Sequence, residues 1–308
     1  MDYADVCVLV PTYNEAETIA EVVADYRDEG FGNVLVIDGD STDETRELAE
    51  EAGARVVVQS GDGKGQAVRE AVEKYVEATY VLMLDGDGTY EPSDASKMLA
   101  PLDDGYEHVI GDRFADMKSG AMTTLNKIGN RIINRAFALI HGHDYRDILS
   151  GYRAFTRESF LQMTLTSDGF GIETEMAVEC AKRGIETTVV PTKYYPRPDG
   201  SDTNLHPIRD GGIIFLELYR RAKTNNPLFY FGSVGLASTA TGLGLAVYVA
   251  YEWLVRMVSH EVIAVVSAAG ILFGVQLLMF GVLSDLILSL HREQMKRINS
   301  IEDESAGD

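Results

Sequence analysis

The residues best suited by type and spacing to do chemistry are Asp85 and Asp87, one glycine apart in Tyr80–Tyr90. Tyr80-Val81-Leu82-Met83-Leu84 is an apolar run of strand length, and Asp85-Gly86-Asp87-Gly88 reads as its exit turn. In open α/β sheets, ligands gather outside the carboxyl ends of the strands. Two hard carboxylates there can share one divalent cation. Mg2+ in such sites takes one or two carboxylates and completes its shell with water and substrate phosphates. A Gly/Asp turn without a ligand is the plainer alternative, and the flanking stretches bear on the choice.

Several elements would position this pair. Val6 to Val10 is a short apolar strand closed by Pro11, with Asn14 as the N-cap of a helix striped by Ile19, Val22, Val23 and Tyr26. Val34 to Ile37 is a second strand, leaving into Asp38-Gly39-Asp40-Ser41-Thr42-Asp43, where Ser41 or Thr42 can cap the next helix. Arg55 to Val58 is a third strand, and a glycine-rich loop at residues 61–66 leads into a helix ending near Val76. Strands alternating with helices predict α/β architecture, a doubly wound, mostly parallel sheet. Acidic or glycine-rich turns after Val10, Ile37 and Leu84 would then share one edge.

Beyond Pro92 the pattern is less regular. A helix runs to about Leu102, Val109-Ile110 is a short strand, and a long helix from about Thr124 to His141 carries Lys127, Arg131 and Arg135. Thr187 to Val190 is a last strand, and residues 193–207 form a loop without periodicity, long enough to suggest function. No Gly-x-Gly-x-x-Gly helix start and no P-loop is present, which argues against dinucleotide and P-loop chemistry.

The charge balance narrows the partners. Against 27 Lys and Arg stand 48 Asp and Glu, a formal net charge of −21. Such a chain repels phosphate backbones, so nucleic acid is not an expected partner. Spread over residues 1–210, the acid suits a hydrated surface in a halophilic cytosol. Cys7 and Cys180 lack metal-ligand spacing and read as core thiols of a reducing compartment. The amino terminus does not read as a signal peptide.

After Ile208 the composition changes. Residues 208–226 suggest an amphipathic, basic juxtamembrane helix. Residues 227–291 hold two apolar segments, about Leu228 to Val255 and Val262 to Leu290, each exceeding the ~20 residues that span a bilayer. Residues 292–308 form an acidic tail. Arg220, Arg221 and Lys223 before the hairpin, with Arg292, Lys296 and Arg297 after it, place both termini in the cytoplasm. The expected location is the cell membrane, crossed twice.

Pro11-Thr12-Tyr13-Asn14-Glu15, Asp38 to Asp43, Asp85-Gly86-Asp87 and Ser150-Gly151-Tyr152-Arg153 stand in an order that resembles inverting family 2 glycosyltransferases of the GT-A fold. The chain is most similar to the dolichyl- or polyprenyl-phosphate hexose synthases of that family, over residues 5 to about 210. The resemblance implies a nucleotide-sugar glycosyltransferase domain over 1–207 that passes one hexose to a lipid phosphate. Pro11, Tyr13, Glu15, Asp38, Asp40, Lys64 and Asp85 would hold the nucleotide sugar. Asp85 and Asp87 would carry Mg2+ or Mn2+. Asp87, Arg113 and Arg153 would be catalytic, and Arg131, Ser150 and Arg197 would meet the acceptor phosphate. Arg131 and Arg135 also fit ordinary helix charges, and Glu173 and Glu175 fit acids of a first helical turn.

Two departures bear on the donor. Asp38-Gly39-Asp40-Ser41 replaces the usual Asp-Asp-Gly-Ser, and Thr89 stands where many mannosyl members have Gln. They favour UDP-glucose over GDP-mannose. The Gln-x-x-Arg-Trp element of processive synthases is absent, which favours single-sugar transfer. Family-level use of the product is archaeal protein N-glycosylation. A lipid phosphate with a second pKa of about 6 needs no side-chain base at neutral pH. Transfer to another lipid-linked or protein acceptor, and a membrane-anchored nucleotide-sugar sensor without turnover, are the rival readings. Homo-oligomer formation stays open.

Overall fold

The computed structural model describes residues 1–198, 212, 219 and 226–306, with side chains as far as Leu290 and at Gln294. The chain divides into two units, Met1–Leu216 and Glu217–Asp308.

The first unit is built on a seven-stranded sheet of order β3-β2-β1-β4-β6-β5-β7. The strands are β1 (Val6–Thr12), β2 (Val34–Asp38), β3 (Arg55–Val58), β4 (Tyr80–Met83), β5 (His108–Met117), β6 (Arg153–Thr156) and β7 (Thr187–Tyr194). β1 pairs in parallel with β2 and β4, and β2 with β3. β6 is the reversed strand, antiparallel to both β4 and β5. Around the sheet lie α1 (Ile19–Asp28), α2 (Thr45–Glu51), α3 (Lys64–Lys74), α4 (Ala95–Asp103), α5 (Thr124–His141), α6 (Arg157–Gln162) and α7 (Ile172–Arg183). The expected α/β, mostly parallel architecture is what the unit adopts.

β1 is buried along its whole length, as a central strand covered on both faces must be. Val6, Val8 and Val10 pack with Ile19, Val23 and Tyr26 of α1 and with Leu82 and Leu84. Cys7 and Cys180 are free and buried, as core thiols.

Several boundaries differ from the sequence reading. Pro11 does not close β1, which runs on to Thr12. β4 pairs only as far as Leu9↔Met83, so Pro11 lies beyond the two-sided ladder, where a missing N–H is tolerated. Asn14 is not a helix cap. It sits at φ 53°, and its Oδ1 accepts from Thr42 N at 2.9 Å, while α1 starts after Thr18. Neither Ser41 nor Thr42 caps α2. Ser41 bonds Asp38, and Asp43 accepts from Thr45 N at 3.1 Å. β5 extends through Gly111-Asp112-Arg113, because pairing with β7 carries it past the apolar residues. β6 lies in Arg153–Thr156, too short to stand out by periodicity. Lys193 and Tyr194, expected in a loop, finish β7. Most of the 193–207 loop and of the expected helix over 208–226 lies outside the described residues.

The second unit contains α8 (Pro227–Arg256) and α9 (Glu261–Ala306). The 30-residue stretches Pro227–Arg256 and Glu261–Leu290 are long and apolar enough to cross a membrane, with mean hydropathy 1.4 and 2.3. Their large side chains point outward, Val247 at 69% and Val262 at 77% exposure, unlike the core helices of a soluble protein. The helices meet along small residues. Ser238 Oγ donates to Gly270 O at 2.9 Å and Ser267 Oγ to Gly242 O at 2.7 Å. A Cβ on Gly235, Gly242 or Gly274 would strike the facing backbone.

Candidate active site

The sheet changes direction of winding between β1 and β4, and the crevice at their carboxyl ends gathers the charged residues. β4 delivers Asp85 and Asp87, β1 delivers Glu15, and the start of α3 delivers Lys64. Asp87 is fixed by Thr89, whose Oγ1 and N donate to its Oδ1 at 2.6 and 3.2 Å. The Thr89 departure thus puts a hydroxyl on the second acid of the pair.

Both acids are met by cations of the chain. Lys64 Nζ pairs with Asp85 and, at 2.5 Å, with Glu173 on the first turn of α7. Arg197 reaches Asp87 Oδ2 at 2.9 Å and Glu15 Oε1 at 3.4 Å. Burial opposes ionisation of Asp85, but Lys64 outweighs it and holds that carboxyl below the usual range. Burial and the neighbouring Asp85 push Asp87 up. Burial pushes Glu15 up to about 7, against the pull of Arg197 and with help from Asp87 and Asp85. Burial disfavours the Lys64 charge, yet Asp85 and Glu173 raise it further, so the ammonium stays protonated. Four acids, Glu15, Asp85, Asp87 and Glu173, thus share two cations of the chain, Lys64 and Arg197.

A second cluster adjoins the first. Arg113 of β5 makes a buried bidentate pair with Asp147, Nε to Oδ2 at 2.7 Å and Nη2 to Oδ1 at 2.9 Å. Its guanidinium also lies over the Tyr194 ring, 5.4 Å from the centroid. Tyr90 stacks on Tyr152 at 4.8 Å and donates to Asp85 Oδ2 at 3.4 Å. Gly151 explains why a glycine stands in Ser150-Gly151-Tyr152-Arg153: a Cβ there would run into the Asp85 carboxylate.

The structure brings Glu15, Lys64, Asp85, Asp87 and Arg197 together and sets Arg113 beside them. The other expected site residues sit differently. Arg153 is wholly buried, donating to Ile148 O at 2.7 Å and Ser150 O at 3.0 Å and meeting His108 Nε2 at 3.0 Å. It ties down the turn before β6 and is not presented as a catalytic group. Ser150 is also buried, with its Oγ accepting from Tyr152 N at 3.3 Å. Arg131 is exposed on α5, whereas Asn130 and Asn134 face inward to Arg113 and Ile148 N.

Pro11 is buried in β1 and Tyr13 is 47% exposed just beyond it. Asp38 is buried and filled from within, by Ser41 N at 2.8 Å, Ser41 Oγ at 2.5 Å and Thr12 Oγ1 at 3.4 Å. It shapes the turn after β2. Asp40, largely exposed, lies 3.6 Å from Arg46.

Glu175 accepts from Thr166 N at 2.9 Å, Thr166 Oγ1 at 2.9 Å and Ser167 N at 2.7 Å, so it anchors the 164–168 loop. Sequence reasoning missed Asp147, Tyr194 and the pairing of Glu173 with Lys64. No local motif marks them, since each acts through a partner distant in the chain.

A mostly parallel sheet with paired carboxylates at its switch point defines the GT-A class of fold. The family model for glycosyl transferase family 2 matches residues 7–163, and the chain belongs to that family. It is 85% identical over 297 residues to glycosyltransferase AglJ of the halophilic archaeon Haloferax volcanii, covering 96% of this chain and 98% of that one. A dolichyl-phosphate hexose transferase of the same organism is 34% identical over 214 residues, covering 69% of this chain and 91% of the relative. Among solved structures, glucosyl-3-phosphoglycerate synthase from Mycobacterium tuberculosis, in complex with Mn2+ and UDP-glucose, aligns with TM-score 0.57 at 20% identity, over 71% of this chain and 78% of that one. Mannosyl-3-phosphoglycerate synthase from Rubrobacter xylanophilus aligns with TM-score 0.55 at 22% identity, over 71% and 73%. The fold therefore serves glucosyl and mannosyl enzymes alike. The chain is a family 2 glycosyltransferase, and its acidity fits a halophilic source.

Proposed function

We propose that the chain transfers a single hexose, with inversion, from a nucleotide sugar to dolichyl or polyprenyl phosphate at the membrane, for protein N-glycosylation. UDP-glucose is the favoured donor. The observation that carries this reading is the occupation of both α7 acids: Glu173 pairs with Lys64, and Glu175 holds the 164–168 loop. Neither is placed as a base to deprotonate a sugar hydroxyl. A phosphate acceptor, with its second pKa about 6, needs none. The 34% identical dolichyl-phosphate hexose transferase supports the same acceptor class.

Asp85 and Asp87 suit Mg2+ or Mn2+. Among the described residues no group of three or more ligating side chains forms. That donor set fits a hard cation that takes its other ligands from water and a diphosphate. When bound, the cation would neutralise charge growing on the leaving diphosphate. Lys64 keeps Asp85 ionised for that task. Arg197, bonded to Asp87, would be the residue to meet ligand phosphate when Asp87 holds a cation. Arg113, locked on Asp147, would offer fixed guanidinium N–H donors that need no reorganisation. Glu15, bound to Arg197, and the Pro11–Tyr13 strand end would orient the nucleotide. Asp38 and Asp40 would act by shaping its turn.

The test is single-sugar transfer by the full-length protein in detergent and high salt, with a panel of radiolabelled nucleotide sugars and polyprenyl phosphate. Label in a mild-acid-labile lipid from UDP-glucose is the expected result. Labelling from GDP-mannose alone would move the donor, and labelling of polyprenol-free protein or of no acceptor would overturn the acceptor.

A further inference from the structure

Lys64 holds Asp85 and Glu173 together, and the two acids come to it from different elements. The lysine opens α3, after Gly63 at φ 88°, and its flexible four-carbon stem does little to fix the ammonium by itself. Its backbone is held from outside the helix. Asp168 O accepts from Gly65 N at 2.8 Å and from Gln66 N at 3.3 Å, first-turn amides that have no carbonyl partner within α3. The fit is close. A Cβ on Gly63 would strike Asp168 O, and one on Gly65 would strike Ser167 O. Glycine on each side of Lys64 lets residues 167–168 lie across the start of the helix. The first-turn amides are thus taken by the chain itself, and the Lys64 ammonium is what this end of α3 turns to the crevice.

Residues 166–168 belong to no helix or strand and are gripped from two sides. On one side Glu175 of α7 accepts from Thr166 N at 2.9 Å and Ser167 N at 2.7 Å. On the other, Arg69 of α3 forks onto the same segment. Its Nη1 donates to Ser167 O, and its Nη2 donates to Asp168 Oδ1 at 2.6 Å. Among the described residues the side-chain hydrogen bonds of Arg69 go to that segment alone.

We propose that Arg69 is a positioning residue for glycosyl transfer: its fork clamps Ser167 and Asp168 onto the start of α3 and so fixes Lys64 between Asp85 and Glu173. The clamped segment runs on through residues 169–171 into α7, so the clamp also sets where Glu173 stands against the lysine. Of the two arms, the one on Ser167 O matters more. Asp168 is 73% exposed, and an ion pair there is screened and contributes little. A planar guanidinium reaches both acceptors at once, which a single ammonium does less well. The bearing on transfer rests on the reading that Lys64 serves the nucleotide sugar, whereas the clamp itself can be tested without any donor.

Full-length protein in detergent and high salt is treated with acetic anhydride, and each lysine is scored by mass spectrometry. Lys64, paired twice and 12% exposed, should label slowly, while Lys74 on the same helix, at 55%, labels freely. Arg69→Gln should raise Lys64 labelling several-fold and leave Lys74 unchanged. Arg69→Lys, which keeps one arm, should fall between, and it carries the test if Arg69→Gln does not fold. Asp168→Asn should stay near wild type. Unchanged Lys64 labelling in the Arg69 variants would overturn the proposal. So would a rise matched by faster amide exchange in the core strand β1, which would report general loosening. In the transfer assay Arg69→Gln should raise the donor KM about tenfold, the size of a weakened hydrogen bond to a charged group, with kcat changed far less. On a Lys64→Gln background the same substitution should add nothing, because both act through one ammonium. Additive losses would overturn the positioning role. Labelling that responds while KM does not would uphold the clamp and refute the donor role of Lys64, so the two readings fail separately.

Discussion

At the residue scale, the crevice is a set of paired charges, and each pair predicts a distinct response. Asp87 has one carboxylate oxygen on Thr89 and the other on Arg197. Asp87→Ala should remove transfer while leaving the fold, because the diphosphate loses its cation bridge. Unchanged turnover of EDTA-treated wild type would refute the metal role. Glu175→Gln should cost far less than the ~10²–10⁴-fold of a lost general base, since Glu175 supports a loop. The acidic limb of kcat/KM should persist in that variant and follow the acceptor's own ionisation near pH ~6. A loss of ~10³-fold with fold and binding intact would point to a hydroxyl acceptor.

Glu15 gives a pH dependence of stability. Its carboxyl stands at about 7 in the folded chain, against an ordinary 4.5. Between those values the folded state holds a proton that the unfolded state has released. Stability from this group therefore falls as pH rises from about 4.5 to about 7 and is lowest above that window. Glu15→Gln removes the penalty. Its Tm relative to wild type, in metal-free buffer, should climb between pH 5 and pH 8, and a flat difference would contradict the assignment.

At the element scale, strand β5 and the 142–152 turn are joined by charge. Asp147 is fully buried and carries Arg113, and Arg153 carries the turn's carbonyls. Breaking such a pair from one side strands a buried charge. Asp147→Ala should lower stability by about 3–5 kcal/mol and release Arg113 from the crevice. Denaturant unfolding of the purified protein measures the first effect, and a rise in KM for the donor the second. Loss below 1 kcal/mol would mean that Asn130 and the Tyr194 ring suffice to hold Arg113.

At the scale of the whole molecule, acid and base are divided. The chain carries −21 overall, while basic residues collect before and after the apolar hairpin and along α5. Residues 1–225 and the tail after Arg292 should lie on the cytoplasmic side, with His260 outside. In sealed right-side-out vesicles, protease added outside should spare the tail. Cleavage of the tail from outside would sink the two-span orientation.

What the amino-acid order determined by itself is local. The strand leading into Asp85, the helix from Thr124 to His141 and the two apolar spans all follow from spacing within one segment. Neighbours in the chain are neighbours in space, so period and composition suffice there. The family motifs were legible for the same reason, each lying within a few residues. Only the tertiary structure decided what those motifs touch. Arg153 and Ser150 look like ligand-binding residues in the chain and are buried braces in the fold. Lys64, Asp85 and Glu173 come from three elements, and Arg197 joins Asp87 to Glu15 across the switch point. Glu175 and Glu173, two residues apart, take opposite tasks because helix geometry turns them to different neighbours. Pairing of this kind depends on how the sheet is ordered and which loops cross its edge, and no period in the sequence encodes it.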